Sequence, residues 1–252
     1  METKIKSLIK PNETAWQTYT KQSSNNQDMP QLKKQPEAWT KTYYKAYARM
    51  PTVALPPPDA LREITLKDAL VARKSGRNPK RKSKLTQSTL STILQYAMGL
   101  NPPYDDTSTG DASRFYPSAG GRYPIEAYLL LQNNDIVVSS IYHYYVRYNS
   151  LEKLFPLNKD SLKKAFLDDF IRMYPCLLVL TGFMPRTTIK YKNRGFNYAL
   201  IEAGHIGQNV YLLSAALGIQ CCSIGGFIEK EICNMLDINP QEEYPLYVLG
   251  LR

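Results

Sequence analysis

The sequence predicts an α+β domain, and three observations support this prediction. Several segments have the leucine, β-branched and aromatic content of buried strands, among them IEAYLLL and CLLVLTGF. Other segments have the apolar spacing of helices. The two kinds of segment do not alternate in the regular order of a parallel α/β protein. At 252 residues, 43% of them hydrophobic, the chain can bury one sizeable core.

The first part of the chain is predicted to be an extension. Residues 1–50 are polar, with a disordered centre at QSSNNQDMP, and the domain is expected at residues 51–252. The segment VALPPPDAL indicates an extended, proline-fixed arm that leads into the first helix. The N-terminus has lysines but no sustained apolar segment and no cleavage site, so no secretory signal is predicted. No apolar run has the length of a membrane span.

The first helix is predicted in TLKDALVARKS. Thr65 and Asp68 have the three-residue spacing of a capping box at its start. Leu66, Ala69 and Leu70 would form its apolar face.

Two more amphipathic helices follow along the chain. One begins after Thr86 and ends near Gly99, and five apolar residues have helical spacing within it: Leu90, Ile93, Leu94, Ala97 and Met98. The other is NKDSLKKAFLDDF, with an apolar side of four residues: Leu162, Ala165, Phe166 and Phe170.

Four segments are predicted to be strands: IEAYLLL, DIVVSSIYHYYV, CLLVLTGF and EYPLYVLGLR. Turns are expected at Asn133–Asp135 and Arg147–Ser150. The first strand follows RFYPSAGGRYP, in which two glycines are adjacent. Because such a pair costs backbone entropy, it indicates a place where a flat or phosphorylated ligand approaches the main chain.

A long helix is predicted from Tyr198 to Leu217. It is apolar almost all round, which places it in a core or an interface. Its polar exceptions, Glu202, His205, Gln208 and Asn209, fall near one stripe and are interpreted as buried groups with satisfied hydrogen bonds. His205 belongs to this set, and no metal site is predicted.

The formal net charge of +10 is concentrated in RKSGRNPKRKSK, Arg73–Lys84, where seven of twelve residues are basic. A solvated loop, a phosphate site and a nucleic-acid site all remain open, although no nucleic-acid recognition motif accompanies the cluster. The four cysteines lack the CxxC spacing of a metal site and favour a reduced, cytoplasmic location: Cys176, Cys221, Cys222 and Cys233.

Three segments taken together resemble one family. They are RKSGR (Arg73–Arg77), YPSAGGRYPIEAYLL (Tyr116–Leu130) and GFNYALIEAGHIGQNVYLLSAALGIQCCSIGGF (Gly195–Phe227). In this order they resemble the FMN-dependent nitroreductase superfamily, and within it the SagB-type azoline dehydrogenases that form thiazoles and oxazoles in ribosomally made peptides. The resemblance implies a nitroreductase-like fold with a mixed central sheet flanked by helices. It also implies an intertwined homodimer with FMN between the subunits.

The resemblance further implies which residues hold the cofactor. The planar arginine guanidinium suits phosphate oxygens. Four residues at the end of the first helix are therefore expected at the FMN phosphate: Arg73, Lys74, Ser75 and Arg77. Arg252 at the C-terminus is expected to join them. Small residues would bring the main chain against the isoalloxazine ring: Pro117, Ser118, Ala119, Gly120 and Gly121. Gly225 and Gly226 are expected near flavin N5, and Asn209 of the long helix completes the set.

Lys190 and Tyr191, in TTIKYKNRGFNYAL, resemble a lysine–tyrosine pair that azoline dehydrogenases place over the flavin and plain nitroreductases generally lack. Aromatising an azoline removes a proton from one ring carbon and a hydride from its neighbour. The resemblance implies that Lys190 would accept the proton, or that Tyr191 would relay it or hydrogen-bond the ring nitrogen. A lysine acts as a base only where burial or nearby positive charge lowers its pKa. Because neighbours in a strand face opposite ways, both side chains can reach one substrate only from a loop or bend.

The predicted function is therefore FMN-dependent oxidation of thiazoline or oxazoline rings in a modified precursor peptide, with oxygen as the implied electron acceptor. A complex with the cyclodehydratase that makes the rings is also implied, and neither nucleic acid nor membrane is expected as a partner. Two alternatives remain open. One is an NAD(P)H-dependent nitroreductase or flavin reductase, and the other is a non-catalytic basic scaffold or nucleic-acid-binding protein.

Overall fold

The computed structural model of the chain describes residues 44–59, 63–77, 85–102, 113–132 and 138–252, together with residue 36. Within these residues, seven strands form one sheet: β1 Thr52–Ala54, β2 Ile125–Leu131, β3 Ser140–Tyr145, β4 Ser150–Phe155, β5 Cys176–Phe183, β6 Cys221–Ile224 and β7 Glu243–Leu251. Their order is β1-β4-β3-β2-β5-β7-β6, with every strand pair antiparallel. A mixed sheet was expected, but the parallel contact of the described chain is a single bridge between Ser75 and Cys221.

In the described part of the chain, six α-helices flank the sheet: α1 Leu66–Ala72, α2 Gln87–Met98, α3 Lys159–Ala165, α4 Pro185–Tyr191, α5 Arg194–Ala216 and α6 Glu229–Leu236. The sheet is buried on both faces. Residues of α2 and α5 share one apolar core with β2 and β5, and residues of α3 and α6 share another on the opposite face. Burial on two sides explains why β2 is apolar at every position but Glu126 and does not alternate between apolar and polar residues.

The first helix confirms its predicted start but not its predicted end. Thr65 caps α1, since its hydroxyl oxygen accepts a hydrogen bond from the Asp68 amide at 3.1 Å. The helix stops at Ala72, three residues before the predicted segment ends, because Arg73 has an extended ψ of 115°. Of the predicted apolar face only Ala69 is buried, whereas Leu66 is 69% exposed.

The other predicted helices are found, with shifted ends. The helix after Thr86 is confirmed as α2, and all five of its predicted apolar residues are buried. The segment NKDSLKKAFLDDF is helical only to Ala165, after which Phe166 bridges to Phe227 and a 3-10 turn spans Asp169–Met173. The long helix α5 begins four residues earlier than predicted, at Arg194.

All four predicted strands are present, as β2, β3, β5 and β7. The turn at Arg147–Ser150 is confirmed, with Asn149 in the left-handed conformation at φ 45°. Three short strands, β1, β4 and β6, were not predicted. The turn at Asn133–Asp135, the segment QSSNNQDMP and most of the basic cluster after Arg77 lie outside the described residues.

Residues 44–50, from the end of the predicted extension, pack on the sheet. Lys45 Nζ lies 2.5 Å from Glu243 Oε2 and 2.6 Å from the Tyr128 hydroxyl. The Tyr47 amide donates to Glu152 at 2.9 Å. Among the described residues, no helix has both the length and the apolar composition to cross a membrane.

Candidate functional site

The residues predicted to face a flavin ring form a tight loop before β2. We call residues 118–121 the glycine loop. It contains a 3-10 turn over Ala119–Gly121, and Gly120 and Gly121 have φ of 60° and 63°. Glycine occupies this left-handed region without the steric cost that a Cβ brings. Gly120 is also exposed, so a ligand can reach its main chain.

The loop is closed by Tyr123, which is itself left-handed at φ 46°. A non-glycine residue holds this conformation only where its surroundings impose it. The Tyr123 amide donates to Ser118 Oγ at 2.8 Å, and its carbonyl accepts from Arg186 Nη1 at 3.0 Å. Its hydroxyl accepts from the Arg114 amide at 3.1 Å. These contacts make the loop a rigid feature of the fold.

Helix α5 contacts the glycine loop through Glu202. This residue is 2% exposed, and its Oε1 accepts from Ser118 Oγ at 2.9 Å and from the Ala119 amide at 3.1 Å. Burial raises the pKa of Glu202 to about 7, although the two hydrogen bonds oppose that rise.

Asn209, two turns further along α5, donates to the carbonyls of Ala97 and Phe115, at 3.2 Å each. The structure thus shows a bracing contact for Asn209, and its predicted cofactor contact stays a prediction.

Lys190 and Tyr191 both converge on the glycine loop. They form the end of α4. A Cβ built on Gly120 would collide with the Tyr191 hydroxyl and would lie 3.0 Å from Lys190 Nζ. The expected loop or bend is in fact a helix end, where successive side chains are about 100° apart and can share one side. Burial raises the pKa of Tyr191, and the Tyr198 ring packs edge-on against it at 5.0 Å.

A buried charge network, which the sequence reasoning missed, anchors α4. Arg186 in the first turn pairs with Glu126 of β2 at 2.5 Å, and its carbonyl accepts from Arg122 Nε at 2.9 Å. His143 bridges Glu126 and Glu152 at 3.0 and 2.8 Å. Burial opposes the charge on Glu126, but Arg186 and His143 outweigh it and lower the pKa of Glu126 to about 2.

The signal for this network was present in the sequence. Glu126 interrupts IEAYLLL, and His143 interrupts SIYHYY, although both strands are otherwise suited to full burial. A buried charge needs a partner, and here the partners come from neighbouring strands and from α4.

The predicted phosphate residues form a second cluster, which we call the basic half-site. Ser75 Oγ lies 3.2 Å from the Tyr211 hydroxyl of α5, and the Arg73 guanidinium lies 5.5 Å from the centre of the Tyr211 ring. The Ser223 amide donates to the same hydroxyl at 2.7 Å. Arg77 Nε donates to Cys222 Sγ at 3.2 Å, and Lys74 is exposed. Because α1 ends at Ala72, Arg73 and Arg77 are not partners on one helix face.

Arg252 lies close to this cluster along the sheet edge. Its main chain exchanges hydrogen bonds with Gln220 at 2.8 and 2.9 Å, and the Gly76 amide donates to Cys221 at 2.8 Å. Arg252 also lines a cavity of about 1030 Å³, whose other walls come largely from α3 and from the 3-10 turn over Asp169–Met173. The glycine loop does not contribute to that cavity.

Gly225 and Gly226 directly follow β6, whose Cys222 and Ser223 contact Arg77 and Tyr211 of the basic half-site. The Gly226 carbonyl accepts from the Leu167 amide at 2.9 Å, and a Cβ on Gly226 would lie 3.1 Å from Asp168 Oδ2. A Cβ on Gly225 would meet nothing within 4 Å. The main chain at Gly225 therefore has open space beside it.

The predicted site residues thus fall into two groups and not one. The glycine loop contacts Glu202, whereas the basic half-site contacts Tyr211, nine residues later on α5. At 100° per residue, nine residues place the two side chains about 180° apart on the helix. The two groups therefore lie on opposite faces of α5.

The prediction that the polar residues of α5 are buried is wrong for His205 and Gln208, which are both exposed. The outer face of the helix, which includes Ile201 at 55% exposure, is uncovered in the single chain. Within the described ranges, no group of three or more potential ligands is placed to hold a metal ion.

Comparison with protein families matches most of the chain to one family model. Residues 70–251, more than two thirds of the chain, match the model of the nitroreductase family. A candidate nitroreductase of Methanocaldococcus jannaschii, MJ1384, is 34% identical over 79% of this chain and 95% of its own length.

Two further relatives are named as processing proteins. The microcin B17-processing protein McbC of Escherichia coli is 27% identical over 69% of this chain, and the trifolitoxin-processing protein TfxB of Rhizobium leguminosarum is 23% identical over 85%. The chain spans 64% and 60% of the lengths of these two proteins.

Solved structures share the fold. A candidate nitroreductase of Anabaena variabilis superposes with a TM-score of 0.71 at 22% identity, over 93% of this chain and 45% of that one. The E. coli microcin synthetase McbBCD complex with truncated pro-MccB17 bound gives 0.58 at 24% identity, over 78% and 75%. A candidate nitroreductase of Exiguobacterium sibiricum in complex with FMN gives 0.51 at 12% identity, over 75% and 87%.

Proposed function

Because this chain belongs to the nitroreductase family, we propose that it is an FMN-dependent dehydrogenase that oxidises thiazoline or oxazoline rings in a ribosomally made peptide to thiazoles or oxazoles. Members of the nitroreductase family are oxidoreductases. The oxidation of azoline rings by this chain is our proposal. One observation carries it: Lys190 and Tyr191 meet at Gly120, in the loop proposed to lie against the flavin.

The residues present fit FMN. The basic half-site offers arginines and the Ser75 hydroxyl, which suit a phosphate. The glycine loop offers exposed main chain, to which a flat ring can lie close. When bound, FMN supplies a two-electron acceptor for the hydride that the substrate ring loses. The FMN-bound relative of this fold supports the same assignment.

Lys190 and Tyr191 would take the proton. Oxidation of an azoline removes one hydride and one proton from neighbouring ring carbons, so a group beside the ring must accept the proton. Lys190 Nζ and the Tyr191 hydroxyl both reach the space above Gly120. Rigid anchoring of α4 by Arg186 would keep the pair in place while the substrate binds.

Two copies of the chain would be needed to complete the site. The glycine loop and the basic half-site lie on opposite faces of α5, and the proposal needs an arrangement in which one cofactor contacts both. A homodimer that pairs the loop of one copy with the basic half-site of the other would solve this. The exposed apolar residues of α1 and α5 would then be covered, including Leu66, Val71 and Ile201.

The substrate and partner follow from the relatives. McbC and TfxB are named as processing proteins, and McbC belongs to a synthetase complex that binds a truncated pro-peptide. We extend this to the present chain as a modified precursor peptide and a cyclodehydratase partner. Oxygen is the proposed final electron acceptor.

The decisive experiment compares the wild type with Lys190→Ala. Both proteins should purify with FMN, visible in the absorption spectrum. Only the wild type should remove two hydrogen atoms from each ring of an azoline peptide, as measured by mass spectrometry. Full turnover by Lys190→Ala would reject the role of that side chain. A colourless wild type that takes up no FMN would reject the whole proposal.

A second candidate is an NAD(P)H-dependent nitroreductase or flavin reductase, and the relation to MJ1384 favours it. It would use the same cofactor residues but take a hydride from a nicotinamide. Rapid bleaching of the bound flavin by NADPH, with no action on azoline peptides, would support this candidate.

A further inference from the structure

Glu202 is a buried acidic residue that the proposed proton transfer does not use. Its Oε1 takes two hydrogen bonds from the start of the glycine loop. Its Oε2 is also buried, yet it has no hydrogen-bond partner among the described residues. A buried carboxyl group with one oxygen unpaired is costly, so the position calls for an explanation.

We propose that Glu202 is a positioning residue for the glycine loop, and that its ionised carboxylate holds Ser118 and Ala119 so that Gly120 faces Lys190 and Tyr191. The importance of this for catalysis rests on the proposed function, because only there is the loop a cofactor-binding element. The holding contact itself does not depend on it.

The hydrogen bonds make Glu202 central to the loop. The Ser118 hydroxyl accepts from the Tyr123 amide at 2.8 Å and gives its single proton to Glu202. The Ala119 amide also points at Glu202. Without the carboxylate, the first two residues of the loop would lose their tie to α5, and Gly120 comes directly after them.

The charge state of Glu202 should set how firmly it holds. Hydrogen bonds from Ser118 and Ala119 favour the ionised form, so by reciprocity ionisation strengthens those bonds. Three other titratable groups face the carboxyl: Arg114 and Tyr116 from the segment before the loop, and Tyr191 from α4. Of these, Arg114 favours the charge. Because burial raises the pKa of Glu202 to about 7, the change in charge falls near neutral pH.

Asn209 provides an internal comparison on the same helix. It lies seven residues after Glu202, which places it on the same face of α5. Its amide braces the Phe115 carbonyl at 3.2 Å and does not titrate. The contact at Phe115 should therefore be independent of pH, whereas the contact at Ala119 should not.

Amide hydrogen exchange of the ligand-free chain tests this proposal. The protection factor of the Ala119 amide, corrected for intrinsic exchange, is measured at about pH 6 and about pH 8. In the wild type it should rise roughly fivefold across this range, because this amide exchanges by local opening of the loop and a charge-assisted hydrogen bond resists that opening more than a neutral one. Glu202→Gln keeps an acceptor oxygen but cannot ionise, so its protection should not change with pH. Glu242→Gln, an exposed acid on the surface, is the matched control and should behave as the wild type.

An Ala119 amide that responds to pH equally in the wild type and in Glu202→Gln would overturn the proposal, and so would a wild type with no response. FMN affinity is measured alongside. An unchanged FMN affinity in Glu202→Ala, in a protein that does bind FMN, would overturn the positioning role. If no variant binds FMN but the exchange pattern holds, the proposed function fails and the contact between Glu202 and the loop stands.

Discussion

Replacing Gly120 with alanine separates the backbone conformation of the glycine loop from the contact that it makes. Gly120 has φ of 60°, and a Cβ there would collide with the Tyr191 hydroxyl and lie 3.0 Å from Lys190 Nζ. An alanine in the left-handed region costs about 1–2 kcal/mol. The collision adds little to this cost, because the contacted atoms are the ends of flexible side chains. It must, however, move both side chains away from the loop.

Gly218 supplies the matched control. It has φ of 70°, and a Cβ there would meet nothing within 4 Å. Gly218→Ala should therefore lower the free energy of unfolding by the same amount, about 1–2 kcal/mol, and leave Lys190 and Tyr191 in place.

Urea denaturation and ring oxidation together check this reasoning. We expect both variants to lose similar stability, and we expect kcat to fall about 100-fold in Gly120→Ala alone, since small displacements of catalytic groups cost about that much. Equal activity in the two variants would refute the assigned role of the contact. A much larger stability loss in Gly120→Ala would show that the collision is absorbed by the backbone.

Three further predictions concern stability. The pKa of Glu202 is raised to about 7 from an ordinary value of 4.5, so its ionisation opposes folding. The free energy of unfolding should fall by up to about 3 kcal/mol as pH rises from about 4.5 through about 7, and Glu202→Gln should remove that fall in urea titrations at several pH values. His143 has a raised pKa because its bonds to Glu126 and Glu152 outweigh burial. The contribution of His143 to the free energy of unfolding is full below its ordinary pKa of 6.5 and is lost as pH rises through the raised value. His143→Gln should therefore lower the urea midpoint more at acidic than at alkaline pH. An equal loss at both pH values would contradict this. Finally, a Cβ on Gly250 would lie 2.5 Å from the Tyr174 ring, so Gly250→Ala should cost about 1–3 kcal/mol by overpacking, seen as a lower urea midpoint.

Much of the fold could be predicted because its signals are local. The Thr65 cap, the apolar spacing of α2 and the largely apolar composition of β2 each depend on a few neighbouring residues. The short strands β1, β4 and β6 could not be predicted in this way. They have three to six residues each and are stabilised by the strands beside them.

The same distinction between local and long-range signals applies to the candidate site. The glycine pair was recognisable from residue type, and the lysine–tyrosine pair from its resemblance to a pair in azoline dehydrogenases. Their meeting at Gly120 was not, because it depends on α4 being a helix whose end turns toward the loop. Glu202 was noticed only as one polar residue in a helix stripe. Its contact with Ser118 joins positions 84 residues apart, for which the sequence has no local signal.

By itself, the amino-acid sequence determined the family, the order of the main elements and the residue types suited to a phosphate and a flat ring. Those properties depend on residues that are close together in the sequence, and the covalent chain fixes their spacing before it folds. Only the tertiary structure decided that the predicted site residues form two groups on opposite faces of α5, and that Arg186 and Glu202 fix the elements around Gly120. Those relations depend on helix rotation and on burial of charge, which arise only when distant segments pack against one another.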